Sequence, residues 1–389
     1  MPEEHIGRRI RYWRRRRGGM TQQILADRAG LSQSYISQVE NGIENPDSRS
    51  TLIAIAQALD ISMAELLGFP GDPADPNKAE AVASVPEVRL ALLEVEIMER
   101  PAEARSGDEL AARLARIDAL RLSCDFANSV PELPYLLRHS IGHSPRLRAA
   151  ILHATASLLR SIGYRDLAWR ASDMALAAVR ESDDLSLLGP VQFTRLKCMP
   201  GERPALLEAE ARRTYEELQP HTSDELTRRG YGALHLSAAL VESVQKRTVD
   251  LNSHFDEAAS VARSLGEPLH PGGMSMSFGP TNVDLWRMAT ALELGQFHRV
   301  VEISKDVDPT ALRDANRIST YWLDSARALA HLPGREGDAL AHLQKAKDAA
   351  PQYMRILPAA RNTVSVMITR AKRAAVADDL RKMASWMGM

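Results

Sequence analysis

Two cysteines, Cys124 and Cys198, are all that the 389 residues contain. They lie far apart and outside any CxxC spacing, which excludes a disulfide framework and a structural zinc site of the usual kind and fits a reducing compartment. Net charge is nearly absent: 49 basic side chains face 50 acidic ones. That balance excludes a uniformly basic nucleic-acid coat, so any basic site must be local. Lysine is scarce beside arginine, 8 against 41, a skew that reads as a GC-rich coding sequence rather than a function. No run of about 18 uninterrupted apolar residues occurs, and Met1-Pro2-Glu3-Glu4-His5 leads into arginines instead of an apolar signal core. The expectation is a cytoplasmic chain with no membrane partner. With 44% apolar and 25% charged residues wholesale disorder is excluded, and at about 150 residues per domain the length predicts two or three structural units.

The basic charge sits at the front. The first 40 residues hold 8 arginines against 4 acids, whereas residues 71–389 carry 40 basic and 42 acidic side chains. Beyond the front segment there is no electrostatic reason to seek phosphate. Gly68-Phe69-Pro70-Gly71-Asp72-Pro73-Ala74-Asp75-Pro76-Asn77 packs three prolines and two glycines into ten residues and reads as a linker. The expected division is a first domain at 1–70, a linker at 71–85 and a second domain at 86–389.

The front segment shows five short helical patterns. Apolar residues recur at three-to-four-residue spacing through Ile6, Ile10 and Trp13, then Ile24, Leu25 and Ala29, then Ile36 and Val39, then Leu52, Ile55, Ala56 and Leu59, then Ala64 and Leu67. Thr21 and Ser32 are suitable N-caps, Gly30 suits a left-handed C-terminal residue, and Ser62-Met63-Ala64-Glu65 is a capping box. Helices at 21–29 and 32–41 joined by a tight Gly-containing turn match the helix-turn-helix arrangement, whose second helix enters the major groove. On that helix Gln33, Ser34, Ser37 and Gln38 form the polar side. A glutamine amide can pair bidentately with adenine, and serine can meet donor or acceptor edges, so this face suits base reading. Gln22, at the start of the preceding helix, would lie over the backbone and donate to a phosphate. Arg14 and Arg17, from the run Arg14-Arg15-Arg16-Arg17, are candidates for phosphate contact or for merely complementing a helix dipole.

Ile6-Gly7-Arg8-Arg9-Ile10-Arg11 and the continuous stretch from Met20 to Gly42 resemble the phage-repressor-like Cro/C1, or XRE, helix-turn-helix family. The resemblance covers residues 6–67. It implies a five-helix lambda-repressor-like domain, base contacts from Gln33, Ser34 and Gln38 with Ser37 as a further candidate, and phosphate contacts from Gln22, Tyr35 and Asn41. Two departures are visible. Gly18-Gly19 and Asp47-Ser48-Arg49-Ser50 each look one residue longer than the usual turns, which weakens the case for backbone contacts from the second.

From Pro86 onward the chain is Ala/Leu-rich with helix-length stretches between Gly and Pro breaks, so the expected fold is all-α throughout. Gly163, Ala168 and Ala175 recur as Gly334, Ala339 and Ala346, and Gly295 with Phe297 marks a degenerate copy. This spacing resembles the tetratricopeptide repeat, whose stacked helix pairs form an α-solenoid with a concave binding surface. A Cro/C1 module followed by such repeats resembles peptide-responsive regulators of Gram-positive bacteria and a large actinobacterial group, in which a stretch like Ser277–Val283 recurs. The irregular stretch Gly266–Asn282 is expected to border an effector site with Tyr231, His235, Phe278, Asn282, Trp286 and Trp322, for a small molecule or a peptide.

Catalytic signals are lacking. His139 and His143 stand at i, i+4, but Gly142 and Pro145 argue against one continuous helix and no HExxH glutamate is present. No P-loop, dinucleotide fingerprint or GxSxG elbow occurs. The expectation is no enzyme, no metal and no cofactor: a sequence-specific transcriptional regulator that binds double-stranded DNA as a homodimer under control of an effector. The alternative is a protein–protein interaction scaffold that its helix-turn-helix localises to DNA.

Overall fold

The computed structural model describes residues 5–67, 76–98, 105–247, 249–268, 274, 276–371 and 374–389, and among these every regular element is helical. The first five helices are α1 (Ile6–Arg16), α2 (Gln22–Ala29), α3 (Gln33–Glu40), α4 (Arg49–Ala58) and α5 (Met63–Leu67). Their ends are set by the expected caps. Thr21 Oγ1 accepts from the Ile24 amide at 3.2 Å and Ser32 Oγ from the Tyr35 amide at 3.1 Å. Gly30 sits at φ +64° after α2, and Ser62 and Glu65 exchange both bonds of the capping box. Ile10, Leu25, Ala26, Ile36, Ile55 and Leu66 are fully buried together, giving this unit its own core. Ile24, expected on the apolar face of α2, is 45% exposed, because Leu25 and Ala26 turn that short helix toward α3 and α4.

The segment expected as a linker at 71–85 is helical from residue 76 onward. Residues 68–75 lie outside the described residues, but α6 (Pro76–Ala83) and α7 (Val85–Ile97) follow, and Ala81 and Val85 are buried in the large core of the second region. Pro76 opens α6, where a missing N–H removes no intrahelical bond. Then come α8 (Gly107–Leu122), α9 (Phe126–Ser129) and α10 (Leu133–Ser140).

The remainder is a succession of packed helix pairs: α11 (Pro145–Ser161) with α12 (Arg165–Ser182), α13 (Leu188–Cys198) with α14 (Pro204–Leu218), α15 (Glu225–Val244) with α16 (Leu251–Leu265), α17 (Pro280–Glu293) with α18 (Phe297–Asp306), and α19 (Ala315–Ala330) with α20 (Glu336–Ala349). The first helices also pack on one another in order, from α11 through α19. Turns inside three pairs carry Gly163, Gly295 and Gly334, all at positive φ, and Ala168, Ala175, Ala339 and Ala346 are completely buried. Helices α13 and α15 meet at Gly189 and Gly230, where a Cβ on either would lie 2.6 Å from the other's Cα, so no side chain fits. α21 (Pro351–Ile356), α22 (Pro358–Arg370) and α23 (Ala374–Trp386) finish the chain. Gln352 of α21 returns to the start of the array: its Oε1 accepts from the Phe126 and Ala127 amides at 2.9 and 3.3 Å, and its Nε2 donates to Asp125 at 3.2 Å. The segment after the last pair is thereby tied to α9.

Candidate nucleic-acid interface

Helix α3 presents Gln33, Ser34 and Gln38 to solvent while Ile36 and Val39 are buried, and Ser37 is partly covered. The helix is held from beneath by Glu40, whose carboxylate is almost fully enclosed. Arg14 Nε and Nη2 donate to it at 2.6 and 2.9 Å, Arg11 Nε at 3.2 Å and Gln22 Nε2 at 2.8 Å. Burial alone would raise the Glu40 carboxyl, but the bonds from Arg14, Gln22 and Arg11 outweigh it and hold the group below the usual carboxylate range. Gln22 Oε1 in turn accepts from Gln33 Nε2 at 2.9 Å. A chain of charge-assisted and amide hydrogen bonds thus runs from Arg14 through Glu40 and Gln22 to the first base-reading candidate, fixing the orientation of its amide.

Of the expected phosphate contacts, Gln22 is bonded to Gln33, and Asn41 Oδ1 accepts from Arg11 Nη2 at 2.6 Å. Tyr35 is half-buried, and burial with the nearby Asp47 and Glu44 carboxylates pushes its phenol up. Arg14 and Arg17 each have hydrogen-bond partners inside the domain. Arg14 is consumed by Glu40 and the Met20 carbonyl, and Arg17 donates to the Leu59 and Asp60 carbonyls, capping the C-terminus of α4. The arginine run serves the fold at those two positions because each lies within reach of orphaned acceptors.

The longer loop before α4 turns out to be a joint with the helical region. Glu293, at the end of α17, accepts from the Arg49 and Ser50 amides at 2.7 and 2.9 Å, occupying the α4 N-terminus. Asp47 pairs with Arg327 of α19 and with His331 at its C-cap, and Arg327 also donates to the Asp47 carbonyl at 2.8 Å. Arg370 of α22 binds Glu44 and the Ile43 carbonyl, and Glu202 accepts from the Met63 amide at 2.8 Å. None of these bonds was legible in the sequence, since the partners are 139 to 327 positions apart.

The six effector candidates do not converge. Tyr231 and His235 line a pocket of about 510 Å³ with Tyr215, Asp250, His254 and Glu257, on the side of α15 that faces α14 and α16. His235 Nδ1 lies 2.9 Å from His254 Nδ1, and burial with that second imidazole pushes His235 down to about 4. Phe278 is completely buried, its ring filling the space that a side chain at Gly232 would need and its carbonyl accepting from Arg229. Trp322 packs against Tyr321 and His342 near α20. Asn282 and Trp286, one turn apart on α17, form a second, separate pair beside Phe193. Shared placement on first helices was insufficient because successive helices turn different faces to the interior. His139 and His143 do not share a helix, for α10 ends at Ser140, and His139 bonds the Tyr135 carbonyl. Both cysteines are buried, and burial pushes the Cys124 thiol up to about 12. No described helix is long and apolar enough to cross a membrane.

A family model described as helix-turn-helix matches residues 10–66. An uncharacterized HTH-type transcriptional regulator of Sinorhizobium fredii (strain NBRC 101917 / NGR234) is 45% identical over 53 residues, 14% of this chain and 68% of that protein. An immunity repressor protein of Bacillus phage phi105 is 43% identical over 63 residues, 16% of this chain and 42% of its own length. The chain thus spans less than half of the second relative. No solved structure matches it.

Proposed function

The chain belongs to the helix-turn-helix family of DNA-binding transcriptional regulators through residues 10–66, and on that premise we propose that it binds a two-fold operator as a homodimer and that a small molecule or peptide held by the helical region sets its DNA affinity. One recognition helix contacts about four base pairs, too few to find an operator in a genome, so two half-sites about 34 Å apart are the natural target. A stripe of Leu90, Leu93 and Ile97, each about half or more exposed on α7, offers the apolar patch a second copy would cover.

The observation that carries the ligand-controlled reading is the joint between Glu293 and the amides of Arg49 and Ser50. Anything that shifts α17 or α19 acts on the start of α4 and on Asp47, and so on the placement of α3 in the groove. The test is a gel shift with the full chain on its own upstream DNA, at near-physiological salt with excess nonspecific competitor, with and without a small-molecule extract of the source culture. A specific complex whose midpoint the extract moves is expected. A specific complex insensitive to every extract removes the control by ligand, and a monomer on the operator by light scattering removes the homodimer.

A further inference from the structure

Three cations on the inner helices stand outside the salt-bridge network. Arg160 ends α11, Lys197 ends α13 and Arg317 lies in the first turn of α19, and among the described residues none of them forms an ion pair. All three are only partly exposed. Most arginines of the neighbouring helices are paired, as Arg195 is with Asp173 and Glu210, and Arg121 with Asp118. A half-buried charge without a partner costs free energy, and a fold tolerates it where something outside the chain repays that cost.

Lys197 and Arg317 flank one indole, and Arg160 acts electrostatically on Lys197 from the end of α11. Lys197 Nζ is 3.6 Å from the Phe193 ring centre and 5.5 Å from that of Trp286, and the Arg317 guanidinium is 5.9 Å from Trp286. Phe193 and Trp286 are themselves 5.9 Å apart. Burial first, then Arg317 and Arg160, push the Lys197 ammonium well below the usual lysine range, as expected of cations crowded together without enough negative charge. Asp314 is the carboxylate that acts on both Lys197 and Arg317, and it is also engaged with the Ser277 hydroxyl at 3.2 Å and the Asn316 amide at 3.0 Å. Two further polar atoms wait there: Trp286 Nε1 and Asn282 Oδ1 are buried with no hydrogen-bond partner. An unpaired buried donor and acceptor beside unpaired cations describe a polar site prepared for a ligand.

We infer that the inner face formed by α11, α13, α17 and α19 binds a small organic anion, whose negative group is held by Arg160, Lys197 and Arg317 and whose apolar body lies against Trp286 and Phe193. This rests on the ligand-controlled reading above and gives its effector a chemical class, a carboxylate or phosphate rather than a neutral metabolite. The same helices that hold the anion carry the joint. On α17, Glu293 follows Trp286 by about two turns, and on α19, Arg327 and His331 follow Arg317 by about three and four. An anion that draws Lys197, Arg317 and Trp286 together acts directly on the two helices that grip Asp47 and the start of α4.

The experiment uses the full chain and two fluorescent probes of similar ring system, anilinonaphthalene sulfonate and neutral phenylnaphthylamine, with benzoate and phenyl phosphate as competitors. The sulfonate should bind at least about tenfold more tightly than the neutral probe, a difference that Lys197→Met with Arg317→Met abolishes while leaving the neutral probe and the melting temperature no worse. Competition by benzoate or by phenyl phosphate distinguishes carboxylate from phosphate. Equal affinity for the two probes, or a double variant that binds sulfonate as the parent does, overturns the site. Should the double variant fail to fold, the two-probe comparison on the parent and the single Arg160→Gln variant decide in the same way. Control by ligand fails separately: sulfonate bound at this site with DNA affinity unmoved by extract leaves the anion site standing, and an extract response that survives in the double variant overturns the site alone.

Discussion

The Glu293 carboxylate binds the two backbone amides that open α4, Arg49 N at 2.7 Å and Ser50 N at 2.9 Å, across 243 to 244 positions of sequence. A helix N-terminus with free N–H groups is an anion site, and here the chain fills it from its other domain. Glu293→Gln keeps the shape but removes the charge. The expected result is faster hydrogen exchange at Arg49 and Ser50 and a loss of about 1 kcal/mol from the joint, read by native-state exchange. Unchanged exchange at those amides would mean the domains separate in solution.

Glu40 is the buried centre of the recognition unit, and removing it strands Arg14, Arg11 and Gln22. Glu40→Ala should destabilise the first domain by about 3–5 kcal/mol, measured by denaturant unfolding, and weaken binding to every DNA sequence without touching DNA. Because its carboxyl is held low in the folded state, its contribution is present above the unfolded carboxylate range and is lost as pH falls through the folded value.

Gln33 and Gln38 stand exposed on α3, and Gln22 locks the first of them. Gln33→Ala and Gln38→Ala should each cost about 1–3 kcal/mol of discrimination at the base pair read, seen as a flattened preference across operator variants. Gln22→Ala should weaken all sequences and also loosen discrimination at the Gln33 position, since the amide pair is gone. Equal loss on specific and nonspecific DNA from Gln33→Ala would show that this residue reads no base.

Two buried imidazoles make the helical region sensitive to acid. His153, hydrogen-bonded to Thr194 at 2.8 Å, is pushed down to about 3 by burial and by Arg121 and Lys197, and His235 is pushed down to about 4. A histidine whose folded value lies below its unfolded value near 6.5 stabilises fully above about pH 6.5 and loses that contribution as pH falls below it. Each should remove on the order of 1–2 kcal/mol between pH 7 and 5. His153→Gln, able to keep the Thr194 bond, should flatten the decline of melting temperature over that interval.

The exposed stripe on α7 tests the oligomer. Leu93→Glu with Ile97→Glu should move the melting temperature by no more than about 2–4 °C, as surface changes do, yet convert a dimer to a monomer in light scattering. A dimer that survives the pair of glutamates lies elsewhere on the surface.

Local signals were legible in the sequence because local rules govern them. The helices of the first domain, the caps at Thr21 and Ser32, the turn at Gly30 and the polar face of α3 depend on residues three or four positions apart, and periodicity with hydrogen-bonding chemistry determines them. The all-α character of the remainder and the small residues at its helix turns were readable for the same reason. The tertiary structure alone decided which polar groups find one another. Arg14 looked available for phosphate until Glu40 came within 2.6 Å, and Tyr231, Asn282 and Trp322 looked like one site until the helices carrying them turned apart. Likewise nothing local in the sequence links Arg160, Lys197 and Arg317. Only the stacking of α11, α13, α17 and α19 brings Lys197 and Arg317 to Trp286 and puts Arg160 within electrostatic reach of Lys197, because the environment of a charge is set by what folding leaves beside it.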